Sequence, residues 1–198
     1  MKTPLIGICG FPRHGKTTVQ RILTCFGVDA IDDSEPLRRV VMAEFGLSWD
    51  DVSTQAGKLQ MIEAFGTTMT VRQALGDLGK VYEAKYGANY WIDRAITDLF
   101  DPSTGRPASF GSVRMGQGSS VKYAGGVIIE VRRPSEPASR HDFDQYDQRY
   151  VDHTIINDGR PEELAIKVIQ LAIDLCETSL AGVARIIPRI QGTLQHAA

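Results

Sequence analysis

Near the amino end of the 198-residue chain, Gly10-Phe11-Pro12-Arg13-His14-Gly15-Lys16-Thr17 matches the pattern G-x-x-x-x-G-K-[S/T]. These are the residue types a nucleotide triphosphate tail needs. Glycines let the backbone wrap its amides around phosphate oxygens, in dihedrals that a Cβ would obstruct. Lys16 then reaches the β- and γ-phosphates, and Thr17 offers a hydroxyl to Mg2+. Arg13, His14 and Thr18 complete the set expected around ATP; Arg13 and His14 fill variable positions of the loop, where solvent-facing residues serve equally well. No partner His or Cys lies at metal-ligand spacing from His14. The loop alone does not separate kinases from ATPases, switches and motors.

A strand must lead into such a loop and a helix must leave it. Pro4 to Cys9 is a short apolar run stopped by Gly10 and Pro12, which predicts a buried strand. From Gly15 to Phe26 the apolar residues Val19, Ile22, Leu23 and Phe26 repeat at helical spacing, and Gly27 closes the helix. Further strands are predicted at Val28–Ile31, Ala108–Val113, Val127–Val131 and Thr154–Ile156. Further helices are predicted from Asp32-Asp33-Ser34, as capping residues, to Phe45, and over Ser48–Phe65, Thr70–Tyr86, Asn89–Phe100 and Pro161–Leu180. Thr70 with Gln73 has the spacing of a capping box. Residues 181–198 show no pattern that assigns them a role. Strands alternating with helices imply an α/β three-layer sandwich, a parallel sheet of about five strands with helices on both faces.

The polar residues beyond the loop narrow the chemistry. No Asn-Lys-x-Asp guanine signature is present. Val127-Ile128-Ile129-Glu130 could end an ATPase strand in a catalytic acid, but the strand runs on into Val131 and leaves Glu130 inside it. Arg132 and Arg133 follow directly, with Arg140 in the loop region beyond. Phosphoryl transfer without hydrolysis needs cations that cover the transferring group and exclude water, and arginine, always charged and bidentate, suits that work. An arginine-bearing lid over 132–150 fits these residues, as does a solvated basic turn.

From Leu5 to Leu175 the order of segments resembles the phage-type deoxynucleoside monophosphate kinases of the P-loop kinase superfamily. The resemblance is carried by Asp33-Ser34-Glu35-Pro36-Leu37-Arg38 before Phe45-Gly46-Leu47; Thr70-Val71-Arg72-Gln73-Ala74-Leu75 before Leu78-Gly79; and Tyr90-Trp91-Ile92. It continues through Ser112-Val113-Arg114, Gly125-Gly126-Val127-Ile128, Val131-Arg132-Arg133-Pro134 and Ile156-Asn157-Asp158-Gly159. It implies a single kinase domain with its core in 1–31, 107–131 and 151–180 and acceptor-binding helices in 32–100. Asp33, Arg38, Arg72, Trp91 and Arg114 would meet the acceptor, Arg132 and Arg133 would be lid arginines, and Asn157 and Gly159 would sit near the adenine. The family usually has an aspartate where Ser112 stands, which touches metal handling and acceptor choice.

The implied reaction is ATP plus a deoxynucleoside monophosphate giving ADP plus the diphosphate. One rival keeps the fold and phosphorylates a hydroxyl of a nucleoside or modified DNA base, with Asp32 or Asp33 as base. Another is a nucleotide switch without turnover. A net charge of −2 gives no basic field for stable nucleic-acid binding. Three widely spaced cysteines suggest neither a disulfide framework nor a metal site. No apolar stretch approaches a membrane span, so the expected partner is a small molecule in the cytoplasm, with a homodimer left open.

Overall fold

Leu5–Cys9 is buried at every position, as a strand covered on both faces must be, and this β1 forms the middle of the sheet. The computed structural model describes residues 5–141, 144–176 and 180–195. Pro4, where the first strand was expected to begin, lies outside them, as do 177–179 near the end of the expected helix and 196–198 of the tail. Two compact units divide the chain, Met1–Ile31 with Phe100–Ala198 and Asp32–Leu99.

The first unit contains β1, α1 (Lys16–Cys25), β2 (Asp29–Ile31), β5 (Ala108–Phe110), α7 (Gln117–Tyr123), β6 (Val127–Arg132), β7 (His153–Ile156), α8 (Pro161–Cys176) and α9 (Leu180–Gln195). Its sheet has the order β2-β5-β1-β6-β7, and every pairing is parallel. Period-2 alternation sorts the two faces. Ile6, Ile8, Ile129 and Val131 bury against Val19, Ile22 and Leu23 of α1 and Leu164 and Val168 of α8. On the other face α7 lies against β1 and β6, and Gly7 is tight enough there that a Cβ would meet Val113, Ile128 and Val121.

The second unit holds α2 (Glu35–Phe45), α3 (Trp49–Ser53), α4 (Gln55–Lys58), β3 (Met61–Ala64), β4 (Thr67–Thr70), α5 (Val71–Tyr86) and α6 (Tyr90–Leu99). Val41, Val52, Val71 and Leu78 form its core. The capping box at Thr70 and Gln73 is made in both directions, Thr70 Oγ1 accepting from Gln73 N at 3.2 Å and Gln73 Oε1 accepting from Thr70 N at 2.8 Å. Among the described residues no helix is long and apolar enough to cross a membrane.

Three expectations need correction. Ser48–Phe65 is not one helix: two short helices are followed by a β3–β4 hairpin, turned by Phe65 and Gly66 at φ 54° and 75°. Positive φ at both central residues gives the twist a two-residue hairpin needs. The tail, given no pattern above, is helical through Gln195, because Ile186, Ile190 and Leu194 make one stripe that packs on the first core despite Pro188 inside it, with Val183 buried as well. Ser34 stands at the N-cap of α2, but its hydroxyl donates to Asp32 Oδ1 at 2.6 Å instead of capping an amide.

Candidate functional site

The turn between β1 and α1 is built from backbone. Gly10 has φ 136°, and a Cβ there would lie 2.3 Å from Val131 O. Gly15 has φ 104° and its Cβ would meet Asn157 Nδ2 at 2.8 Å. Both conformation and space exclude a side chain at these two positions. Arg13 is itself left-handed at φ 64°, a strained state for a residue with a Cβ. No side chain caps α1, so its first amides point into the turn without a partner from a cap. The positive helix end therefore faces the same space as the glycines.

Lys16 Nζ curls back over the loop and donates to Gly10 O at 2.8 Å and Phe11 O at 3.0 Å. Burial lowers its pKa from the ordinary lysine value; Asp144 and Cys9 push back, and Arg114 adds to the lowering. A desolvated ammonium held by carbonyls is a cation awaiting an anion. The cavity at the loop, about 270 Å³, is lined by Arg13, Gly15, Lys16, Thr17, Thr18 and Arg133. Asn157, Pro161 and Leu164 complete the lining. The lining thus carries three cations and no carboxylate, the composition that suits a polyanion.

His14 and Asn157 brace this turn from behind. His14 is 3% exposed, and its Nδ1 donates to Val131 O at 3.2 Å while its ring meets Phe11 edge-on at 5.5 Å. Asn157 Nδ2 donates to His14 O at 2.9 Å, and Asn157 Oδ1 is buried without a partner. The imidazole of His14, expected beside the nucleotide, is directed into the protein instead. Gly159 is not among the residues lining the cavity. Cys9, just before the loop, has its thiol pushed up to about 12 by burial and secondarily by Glu130, so no thiolate chemistry arises there.

Arg132 and Arg133, expected to act together, are separated. Arg133 lines the cavity. Arg132 turns to the face of Glu130, two residues earlier on β6, and makes a bidentate pair with Nη2 at 3.0 Å from both carboxylate oxygens. Glu130 also accepts from Tyr146 Oη at 2.5 Å, Gln148 Nε2 at 3.2 Å and Thr154 Oγ1 at 3.0 Å. Burial raises the pKa of this carboxyl, but the donors from Tyr146, Gln148, Arg132 and Thr154 outweigh it and hold it below the ordinary glutamate range. An acid so engaged is a weak base for water, which counts against the ATPase reading of the β6 strand. Ser112 is half-buried, and among the described residues no cluster of three His, Cys, Asp or Glu could hold a metal ion. Asp144, which sequence reasoning missed, is the carboxylate whose charge acts on Lys16.

The second unit gathers a separate set of cations. Asp32 Oδ2 accepts from Arg38 Nη1 at 2.7 Å, and Arg38 lies over the Trp49 ring at 5.7 Å. Arg72 Nη2 donates to Gln55 Oε1 at 2.6 Å. Lys58, also missed in the sequence, is held below the ordinary lysine value first by burial and then by the charges of Arg38 and Arg72. Asp33 makes an interaction of its own and is not a free base. Trp91 is 6% exposed and donates its Nε1 to Gly79 O at 3.2 Å, with Tyr82 and Tyr90 packed on it. Its indole thus serves the packing of α6 on α5. Arg114, in the first unit, is half-buried and acts electrostatically on Lys16.

No protein-family model matches the sequence, and no curated protein does. Among solved structures the chain is similar to a mutant APS kinase of Mycobacterium tuberculosis, at 13% identity and a TM-score of 0.40, over 86% of this chain and 96% of that one. It is similar to the shikimate kinase of Aquifex aeolicus, at 14% identity and a TM-score of 0.42, with coverages of 86% and 96%. It is also similar to a sugar kinase of Janibacter sp., at 13% identity and a TM-score of 0.41, with coverages of 87% and 95%. At these TM-scores the likeness carries no argument, and the function has to be read from the chain's own residues.

Proposed function

We propose that this chain is a P-loop kinase that transfers the γ-phosphoryl group of ATP to a deoxynucleoside monophosphate, in the supply of deoxynucleotides for DNA synthesis. One observation carries the reading: a backbone cradle at the β1–α1 turn, closed to side chains at Gly10 and Gly15, lined by Arg13, Lys16 and Arg133 and by no acid. Those residues fit a triphosphate. Lys16 would leave the carbonyls of Gly10 and Phe11 for phosphate oxygens, and the amides of Lys16, Thr17 and Thr18 would meet the anion at the helix end. Thr17 is the side chain that would hold Mg2+, with phosphate oxygens and water as the other ligands; the ion neutralises charge on the transferring group.

The acceptor's phosphate falls to the cations of the second unit, Arg38, Lys58 and Arg72. An acceptor that is already a phosphate supplies its own oxyanion: that oxygen bonds to the γ-phosphorus as the bond to the β-bridging oxygen breaks, and the electron pair leaves with ADP. No general base is required. The state of Asp32 supports this version over a hydroxyl acceptor, because both of its oxygens accept hydrogen bonds and, burial notwithstanding, Ser34 and Arg38 hold its pKa below the ordinary value. A carboxylate so engaged is a weak base.

The test is ADP formation with each of the four deoxynucleoside monophosphates in turn, alongside Lys16→Ala. Formation of one diphosphate by the parent chain and its loss in the variant is the expected result. ATP consumed with none of the four, or labelled phosphate appearing on DNA or a nucleoside hydroxyl, overturns the acceptor assignment. Absence of any magnesium-dependent nucleotide affinity in calorimetry overturns the whole reading.

A further inference from the structure

Among the described residues Glu130 is the one buried carboxylate: its side chain is about 1% exposed, yet it lies on the same strand end that delivers Arg133 to the cradle. Its two oxygens share six donor contacts. Oε1 accepts from Arg132 Nε at 3.2 Å, Arg132 Nη2 at 3.0 Å and Tyr146 Oη at 2.5 Å. Oε2 accepts from Arg132 Nη2 at 3.0 Å, Gln148 Nε2 at 3.2 Å and Thr154 Oγ1 at 3.0 Å. Breaking such a buried group by removing one partner is far more costly than losing a surface pair.

The donors come from places that a catalytic acid would have no reason to join. Arg132 is at the end of β6, Tyr146 and Gln148 lie on the chain returning toward β7, and Thr154 is in β7 itself. The Tyr146 ring then packs on Phe11 of the loop at 5.4 Å, and Phe11 packs on His14. At the two edges of the strand, Val131 O accepts from His14 Nδ1 at 3.2 Å on the β1 side, and Arg132 O accepts from Asn157 N at 2.7 Å on the β7 side. The backbone of Val131 and Arg132 is thus held at both edges, to the loop at His14 and to the end of β7 at Asn157, immediately before Arg133.

From this geometry we infer that Glu130 is a positioning residue: it diverts Arg132 from the phosphates, clamps the returning chain through Tyr146 and Gln148, and so sets Arg133 over the nucleotide cradle. The part concerning Arg133 rests on the kinase reading; the clamp itself does not. Arg132 and Arg133 accordingly have different work, one structural and one aimed at the phosphates, although they are neighbours in the sequence.

Glu130→Gln tests this, because the amide keeps the shape but places an N–H among donors and removes the charge that holds Arg132. Amide hydrogen exchange on the nucleotide-free protein should speed up by about tenfold or more around Tyr146 to Tyr150, with β1 and α1 unchanged. In the transfer assay kcat should fall by about tenfold with ATP affinity changed by no more than about threefold, a split that a general loss of folding would not give. Arg133→Ala combined with Glu130→Gln should lose little more than Arg133→Ala alone, since both act through one guanidinium. Should Glu130→Gln fail to fold, Tyr146→Phe removes one donor and should show the same exchange pattern at smaller size. Unchanged exchange around Tyr146 in both variants overturns the clamp, and multiplying losses in the double variant overturn the link to Arg133. If the parent chain transfers no phosphate at all, the kinase reading falls, and the exchange measurement still decides whether Glu130 clamps the chain.

Discussion

The cradle and the cation cluster of the second unit would both meet phosphate, but they are made from different material. At the β1–α1 turn the ligand surface is main chain: glycines with no room for a Cβ, uncapped helix amides and one lysine that rests on loop carbonyls. Around Arg38, Lys58 and Arg72 it is the ends of long side chains, steered by Asp32, Trp49 and Gln55. A surface made from backbone permits few sequences and serves any triphosphate. A surface made from side-chain ends can be retuned one residue at a time, which is where choice of acceptor should reside.

Lys16→Ala should separate the two most sharply. It removes the one of the cradle's three cations that rests on the loop carbonyls, and by analogy with the loss of a preorganised donor to the reacting group, transfer should fall by about 10²–10³-fold. Single-turnover rates with saturating acceptor check it. A fall of less than about tenfold would mean that the cradle is not where charge develops.

Gly10→Ala attacks the backbone itself. The added methyl meets Val131 O at 2.3 Å in a left-handed backbone, so either the loop or the end of β6 must move. A cost of about 2–3 kcal/mol is expected, or roughly 4–12 °C in Tm for a chain of this size. ATP affinity should drop with it. An alanine variant of parent stability would show that the turn has a second conformation.

Arg72→Ala should be milder and confined to the acceptor. Arg72 is exposed and its hydrogen bond to Gln55 is a surface contact, so Tm should barely change. Loss of one charge-assisted contact to phosphate should raise the acceptor KM by about tenfold, with ATP affinity untouched. If ATP affinity falls instead, the cluster does not belong to the acceptor.

The same contrast accounts for what the sequence made legible. A cradle of main chain requires glycines, a lysine and a strand-to-helix switch, so Gly10, Gly15, Lys16 and the stripe Val19-Ile22-Leu23 announce it locally. The capping box at Thr70 and Gln73 is equally local. Lys58 is not legible, because nothing in Gln55-Ala56-Gly57-Lys58 shows that Arg38 and Arg72, far away in sequence, crowd its ammonium. The hairpin was hidden because Met61, Ile62 and Ala64 fit a helical spacing as well as a strand, and the deciding residues, Phe65 and Gly66, form only a two-residue turn. Pro188 masked the last helix. Arg132 and Arg133 could have been told apart: alternation along a strand puts Arg132 on the side of Glu130 and its neighbour on the other.

Asp32→Asn should have the smallest effect, and a pH-dependent one. Burial works against the charged form of Asp32, but hydrogen bonds from Ser34 and then the Arg38 charge hold its pKa below the ordinary value of 3.8. The folded protein therefore binds its proton less readily than the unfolded chain does. Stability from this carboxylate is full above about pH 4 and is lost as pH falls through the depressed folded value. Above pH 4 the variant should be less stable than the parent, since Arg38 loses its partner, and the gap should close on acidification. Urea midpoints from about pH 6 to about pH 2.5 measure it. A gap that stays constant with pH would mean that Asp32 acts only as a hydrogen-bond acceptor for Ser34, leaving the charge of Arg38 to be balanced from elsewhere in the acceptor cluster.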